Sequence, residues 1–417
     1  MQGNDAANSS IRHGTPAFRR TNLALFAAGL ATFGLLYCVQ PLMPEFSRDY
    51  GVSAAAAALS LSLTTGVLAF AMLFAGGLSD AWGRKPVMVA SLLSSAVLVL
   101  ASAAMPDWRS LLLVRTVLGL ALSGLPAVAM TYLSEEMHAD SIGLGMGLYI
   151  SGSAVGGMGG RLVAGVLADF FGWRTGVAVV GVIGLVCALA FWRALPPSRH
   201  FVRQPWQARA LAARFAGMFR DHGLPWLFVE GFLLLGAFVT VYNYLGYRLL
   251  APPYNLSQAV VGLIFGIYLI GTFSSAWMGH LAGRLGRRQV LWTALALMLA
   301  GVLLTLASSL WLIALGIVAV TFGFFGGHSI VSSWVGRRAG AAKAQAASMY
   351  LFCYYMGSSV AGASGGLFYA AYGWHGVAAF TGALTLAGLL IALGLMRLKP
   401  LVDVATPPTP MSKGAMG

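Results

Sequence analysis

Gly76-Gly77-Leu78-Ser79-Asp80-Ala81-Trp82-Gly83-Arg84-Lys85 is answered, far down the chain, by Gly279-His280-Leu281-Ala282-Gly283-Arg284-Leu285-Gly286-Arg287-Arg288. Each stretch joins two apolar segments long enough to cross a bilayer, and each closes on a glycine followed by two cations. Gly172-Trp173 recurs as Gly373-Trp374 at a similar spacing, a second echo of the first. The chain therefore reads as a duplicated membrane unit.

Composition points the same way. Of 417 residues, 58% are hydrophobic and only 9% charged, with mean hydropathy +0.79. Soluble domains carry about 25% charged residues, so a water-soluble fold would expose too much apolar surface. A spanning helix needs roughly 20 apolar residues, which leaves room for roughly a dozen. The net charge of +14 does not mark a nucleic-acid partner, because the cations sit in short turns between apolar runs rather than on one face. That distribution is a topology signal. Cys38, Cys187 and Cys353 all fall inside apolar runs, so they read as packing residues rather than a disulfide framework. Nothing calls for a cofactor or a metal.

The spans are expected near Leu23–Met43, Ala55–Leu78, Val87–Ala104, Ser110–Leu133, Ile142–Ala168 and Gly176–Ala194. After a break they resume at Leu224–Leu250, Gln258–Gly279, Val290–Ala307, Leu310–Ser333, Ala346–Tyr372 and Val377–Met396. The fold class is thus an all-α membrane protein of twelve transmembrane helices in two pseudo-symmetric six-helix bundles. Its domains are a polar, disordered tail over 1–20, which lacks the apolar core of a signal peptide, a first bundle over 21–194, a linker over 195–223, a second bundle over 224–396 and a tail over 397–417. The linker opens on Pro196-Pro197 and carries Arg199, Arg203, Arg209, Arg214 and Arg220. It is either a plain basic connection or, from Trp206 onward, an amphipathic helix lying on the membrane surface.

Placing the N-terminus in the cytoplasm puts Arg12, Arg19, Arg20, Arg84, Lys85, Arg193, the linker arginines, Arg284, Arg287, Arg288, Arg337, Arg338, Lys343, Arg397, Lys399 and Lys413 on one side. Only Arg48, Arg109, Arg174 and Arg248 fall on the other. By the positive-inside rule both termini are expected in the cytoplasm, and the location is a bacterial inner membrane.

With the duplicated loop in hand, the chain resembles the major facilitator superfamily over essentially its whole length. Gly76, Asp80, Gly83, Arg84 and Lys85 resemble that superfamily's gating motif between helices two and three. The resemblance implies two six-helix halves with substrate bound between them near the midplane. It also implies that Asp80 faces the positive N-terminal end of helix eleven, near Ala346, and holds the cytoplasmic side shut. The second copy, Gly279, Gly283, Gly286, Arg287 and Arg288, has glycine where the acid would stand, so the two gates should differ in strength. On helix five, Gly147, Gly156, Gly160, Arg161 and Ala164-Gly165 resemble the antiporter motif of drug–proton exchangers, with Arg161 where the family usually has proline. The plain alternative is that Gly152, Gly156 and Gly160 let two helices approach closely. Together with Leu36-Tyr37-Cys38-Val39-Gln40-Pro41, this helix resembles the acriflavine-sensitivity-related branch.

Ionisable groups inside spans each cost about 2.5–3.5 kcal/mol near a bilayer centre, so they are functional candidates. Arg115 resembles the helix-four arginine that the family uses in proton coupling; its alternative is a buried structural ion pair or a snorkelling side chain. Arg161 is a snorkelling side chain or a substrate contact. Glu230 is a proton carrier or a salt-bridge partner of the linker, with Arg220 the nearest candidate. His328 titrates naturally near neutrality or simply packs beside Gly326-Gly327. The resemblance implies that helices one, four, seven and ten line a cavity, where Tyr37, Gln40, Tyr242, Asn243, Tyr244 and Phe325 offer aromatic and amide surface for a flat, amphipathic ligand.

The leading expectation is a monomeric, proton-driven secondary exporter of small amphipathic, drug-like compounds, with the lipid bilayer, protons and a small molecule as its partners. A carrier of small organic anions is the alternative, since two intramembrane arginines stand against one glutamate. An enzyme is disfavoured because the spans hold no cluster of nucleophiles or ligands, and an ATP-driven pump because no phosphate-binding G-x-x-x-x-G-K-[ST] loop is present.

Overall fold

The computed structural model describes residues 10–203 and 215–398. The spans are α1 (Pro16–Tyr50), α2 (Ala54–Trp82), α3 (Arg84–Ala103), α4 (Trp108–Glu136), α5 (Asp140–Phe171), α6 (Trp173–Ala194), α7 (Leu224–Leu250), α8 (Gln258–Leu285), α9 (Arg287–Leu304) and α10 (Leu310–Arg338). An eleventh apolar run, Gln345–Leu395, has 51 residues. Straight, it would reach about 75 Å, far more than a hydrocarbon core of about 30 Å. It bends at Gly373, whose φ of 57° and ψ of −141° are non-helical and suit a residue without Cβ. Gly172, the same position in the first half, joins α5 to α6 at φ 81°. The run is therefore two spans, α11 (345–372) and α12 (374–395), which completes the twelve.

The halves repeat one packing plan. Helix α1 lies on α5 and α6, α2 on α4, and α3 on α6, while α7 lies on the α11–α12 run, α8 on α10, and α9 on that same run. Between halves, α2 packs on α11 and α5 on α8. Small residues permit this approach. A Cβ at Gly156 would stand 2.1 Å from the Leu30 carbonyl oxygen of α1, and one at Gly165 2.8 Å from the Gly262 Cα of α8. Gly147 has open space around it, so the helix-five glycines are not equivalent.

Helix α1 is interrupted where two prolines make it so. The regular helix ends at Tyr37, a 3-10 turn covers Gln40–Leu42, and helix resumes over Met43–Tyr50. Pro41 and Pro44 have no N–H to give, and the backbone ladder breaks around them: the Gly34 carbonyl still takes the Cys38 N–H, but those of Leu35, Leu36 and Pro41 take no backbone N–H. Hydrocarbon offers no water to replace them. Side chains do: Arg115 of α4 donates to Leu35 and Leu36, and Gln258 of α8 donates to the Pro41 carbonyl at 2.5 Å, while Tyr247 of α7 adds a bond to the Met43 carbonyl, in the first turn of the resumed helix, at 2.8 Å.

One boundary expectation needs correction. The disordered tail over 1–20 does not extend through 10–20. Ile11 is buried in a parallel bridge with Met137, its N–H reaches the Glu136 carbonyl at 2.8 Å, and α1 starts at Pro16, capped by Thr15. The amphipathic reading from Trp206 falls mostly on residues outside the described ones. The linker's described ends are tied down: the Arg199 and His200 N–H groups donate to Glu136, and Arg203 donates to the Ala81 carbonyl. At the far end Asp221 accepts from Arg338 at 2.5 Å and from the N–H groups of Gly223 and Leu224. Partial burial raises the Asp221 pKa, but these donors outweigh it and hold the carboxyl below its ordinary value.

Two outcomes follow from this packing. Gly156→Val should abolish folded expression or lower the melting temperature sharply, while Gly147→Ala is silent; equal behaviour in a detergent melt would refute the close approach. A depressed pKa means that the Asp221 contact stabilises the fold above the unfolded value of about 3.9 and fades as pH falls through the lower folded value. The gap in melting temperature between the parent and Asp221→Asn should therefore be widest near neutrality and close on acidification.

Candidate functional site

The two halves are joined by hydrogen bonds from mid-span toward the end away from the duplicated loops, and the rings of Phe70 and Phe352 meet at 5.1 Å on the loop side. Gln40 of α1 donates to Asn243 of α7 at 2.8 Å, Ser47 pairs with Tyr247 at 2.6 Å, and Ser359 of α11 donates to the Ser62 carbonyl of α2 at 2.7 Å. Gln40 is also held from its own half, because Arg161 Nε of α5 donates to its Oε1 at 2.7 Å. Arg161, Gln40 and Asn243 thus form one chain of contacts from α5 through α1 to α7. All three are at most 2% exposed.

Arg161 sits among rings rather than carboxylates. Its guanidinium carbon lies 4.0 Å from the centroid of Tyr37, 4.8 Å from Tyr268 and 5.3 Å from Phe265. Nη1 donates to the Gly157 carbonyl at 2.5 Å. Among the described residues it makes no salt bridge, and Nη2 has no hydrogen-bond partner. Tyr242 extends the wall, its ring 5.1 Å from Tyr268 and its hydroxyl on Thr321 of α10, and Phe325 lies 5.7 Å from Tyr268. Tyr244 points elsewhere, with its hydroxyl on the Gly362 carbonyl and its ring stacked on Tyr369.

Arg115 is used differently. It is fully buried, and all three guanidinium nitrogens donate to carbonyls: Nε to Ser60 at 3.0 Å, Nη1 to Leu35 at 3.3 Å and Nη2 to Leu36 at 2.7 Å. It braces α4 against α2 and the broken end of α1. A structural ion pair does not describe it, since its partners are backbone dipoles.

Glu230 of α7 lies inside the second half, fully buried. Neither oxygen has a hydrogen-bond partner among the described residues, so the expected bridge to Arg220 is not made. A Cβ at Gly388 of α12 would stand 3.0 Å from Glu230 Oε2, which places the carboxyl in a notch on that helix. Tyr350 of α11 overlies the adjacent Gly231, and its hydroxyl pairs with His328 Nδ1 at 2.8 Å. His328 therefore has a polar partner rather than mere packing.

The loops staple each half. Asp80 pairs with Arg84 at 2.5 Å, Arg84 also with Glu135 of α4 at 2.6 Å, and Lys85 donates to the Leu195 carbonyl. The expected contact of Asp80 with α11 is not made among the described residues. In the second copy Arg287 donates to Ser333 and Arg288 to the Leu398 carbonyl, with Gly283 open to space. Gly83 and Gly286 make the turns at φ 100° and 94°; a Cβ at Gly76 would meet nothing within 4 Å, and one at Gly279 would stand 3.3 Å from the Ser329 hydroxyl. Sequence reasoning missed Phe265, Tyr268 and Gln258 of α8, and Tyr350 of α11. The polar tips of Tyr268 and Gln258 within an apolar run were the available signal.

The Major Facilitator Superfamily profile matches residues 25–254 and 233–414. The chain is 51% identical over 390 residues to the inner membrane transport protein YnfM of Escherichia coli (strain K12), covering 94% of each chain. It is 49% identical over 385 residues to the MFS-type transporter YybF of Bacillus subtilis (strain 168), covering 92% of this chain and 94% of that one. The crystal structure of the nucleoside transporter NupG superposes with TM-score 0.74 over 90% of this chain and 99% of that one. At 16% identity that likeness establishes the fold.

The two arginines should separate on truncation. Arg115→Met takes the donors from Leu35 and Leu36 at the broken end of α1, where a buried carbonyl left unpaired costs about 1–3 kcal/mol, so its melting temperature in detergent should fall well below that of Arg161→Met. Equal losses would refute the division of labour.

Proposed function

Because the chain belongs to the major facilitator superfamily, a group of membrane transporters rather than enzymes, we propose that it is a proton-coupled secondary transporter of the bacterial inner membrane that exports small amphipathic compounds by alternating access. The observation that carries this is where the polar contacts between the halves lie. Gln40–Asn243, Ser47–Tyr247 and Gly165–Gly262 meet away from the loops and Ser62–Ser359 near mid-span, while Asp80 stays within its own half. Positive-inside placement of the cations puts both termini and the loops in the cytoplasm, which makes the described state closed outward. A single chain holds both halves of the pathway and works as a monomer.

In the opposite state the cytoplasmic ends close and Asp80 reaches the N-terminal end of α11. That contact is worth about 0.3–1 kcal/mol when exposed and up to ~2 when partly buried. The second loop offers Gly283 and no carboxylate, so it forms the weaker gate. Glu230 is the proton carrier in this scheme. Its carboxyl lies within a span with no bonded partner among the described residues, and the Tyr350–His328 pair stands beside it. Aromatic surface from Tyr37, Tyr242, Tyr268 and Phe325 suits an amphipathic ligand.

Oxidising a Ser62→Cys, Ser359→Cys pair should lock the protein and stop transport, and a reductant should restore it. Proton movement in inverted vesicles, screened with cationic dyes and carboxylates, should lose its pH dependence in Glu230→Gln and slow a few-fold in Asp80→Asn with insertion intact. Transport at the parental rate in the cross-linked protein would refute alternating access, and an unchanged pH profile would remove Glu230 from coupling. Labelling of Arg209→Cys from outside an intact cell would overturn the topology.

A further inference from the structure

We infer that Arg161 is the receptor for the carboxylate of the transported compound, and that the substrate is a flat aromatic organic acid. The inference rests on the transport reading above and gives it a chemical class. Arg161 is 2% exposed, inside the membrane span of α5, and next to the junction of the halves. A guanidinium carries five N–H donors; the recorded bonds engage Nε and Nη1, and Nη2 is unspent. The rings of Tyr37, Tyr268 and Phe265 compensate a buried cation only in part. No carboxylate among the described residues pairs with it, and a buried charge needs its donors answered by a counter-charge or by enough hydrogen-bond acceptors.

Arg115 is the internal control. It is as deeply buried and also lacks a carboxylate, yet carbonyls take all three of its nitrogens. Its charge is answered by the fold, and that of Arg161 is left for a ligand. Gln40 and Gly157 fix the guanidinium from one side, which presets its plane for fork-like recognition of a carboxylate. The surrounding wall decides the rest of the molecule. Tyr37 stacks on Phe33 at 6.3 Å, and Tyr268 meets Tyr242 and Phe325 edge-on. An inorganic anion would leave those faces unused, and a cationic amphiphile would meet an uncompensated positive charge.

The test is binding of 1-naphthoate to the purified full-length protein, against the near-isosteric 1-naphthamide, 1-naphthylmethylammonium and sulfate. The wild-type protein should bind the carboxylate about ten- to a hundredfold more tightly than any of the other three. Arg161→Gln should lose that advantage, and Arg161→Lys should recover only part of it, because a point charge does not replace a bidentate fork. Amide, ammonium or sulfate binding as tightly as naphthoate overturns the inference. So does a wild-type protein that binds none of them, or a folded Arg161→Gln that keeps parental affinity. If Arg161→Gln fails to fold, the wild-type ranking of the four ligands still decides. A protein that exchanges the ammonium for protons without binding naphthoate sinks the anion assignment and leaves alternating access standing; one that binds naphthoate but passes the cross-linking test unaffected does the reverse.

Discussion

The break in α1 at Pro41 and Pro44 sets the terms for everything around it. In water, carbonyls freed by a proline are hydrated at no cost. In a membrane each must find a protein donor. Here Arg115 on α4 answers Leu35 and Leu36 and Gln258 on α8 answers Pro41, while Tyr247 on α7 adds a bond to Met43 where the helix resumes. Two of those helices belong to the other half. One backbone defect thereby ties the two halves together, and it does so through few contacts that can exchange partners, which is what a moving joint between rigid bundles requires.

The same defect divides the work between two buried arginines. Arg115 spends its hydrogen-bonding capacity on the broken helix end, so its charge is absorbed by backbone dipoles. Arg161, reaching α1 through Gln40, spends only part of its own. Burial alone would have ranked them as equals. Counting donors against acceptors separates a brace from a group held ready, and that count is the basis for assigning the substrate's charge to Arg161.

Duplication supplies a frame, and small departures from it supply direction. Gly172 and Gly373 both turn the chain at positive φ before a buried tryptophan; Trp173 donates to Asp49 and Trp374 to Thr305. The loops copy one another in their turns, Gly83 and Gly286, but not in their charges: Asp80 and Arg84 form a bonded pair where Gly283 leaves nothing to bond. Two halves that match in shape and differ in polar locks need not be equally stable when open at either end, and such a bias suits directional transport.

Much of the architecture was legible in the chain. The span over Leu224–Leu250 has the bounds expected for it, because apolar run length and the glycine, proline and cation turns between runs are local properties that a bilayer reads directly. The duplicated loops announced the two halves for the same reason. The order in residues 10–20 and the failure of Arg220 to reach Glu230 were not legible. Each depends on which face of a helix meets which neighbour. So does the site: nothing in the composition of α8 says that Tyr268 and Phe265 face Arg161, or that Arg115 finds three carbonyls and Glu230 finds no bond. Sequence by itself determined what crosses the membrane and how often, since hydrophobicity and chain length decide that. Only the tertiary structure decided which buried polar groups are satisfied and which are left waiting, because satisfaction is a relation between helices far apart in the chain.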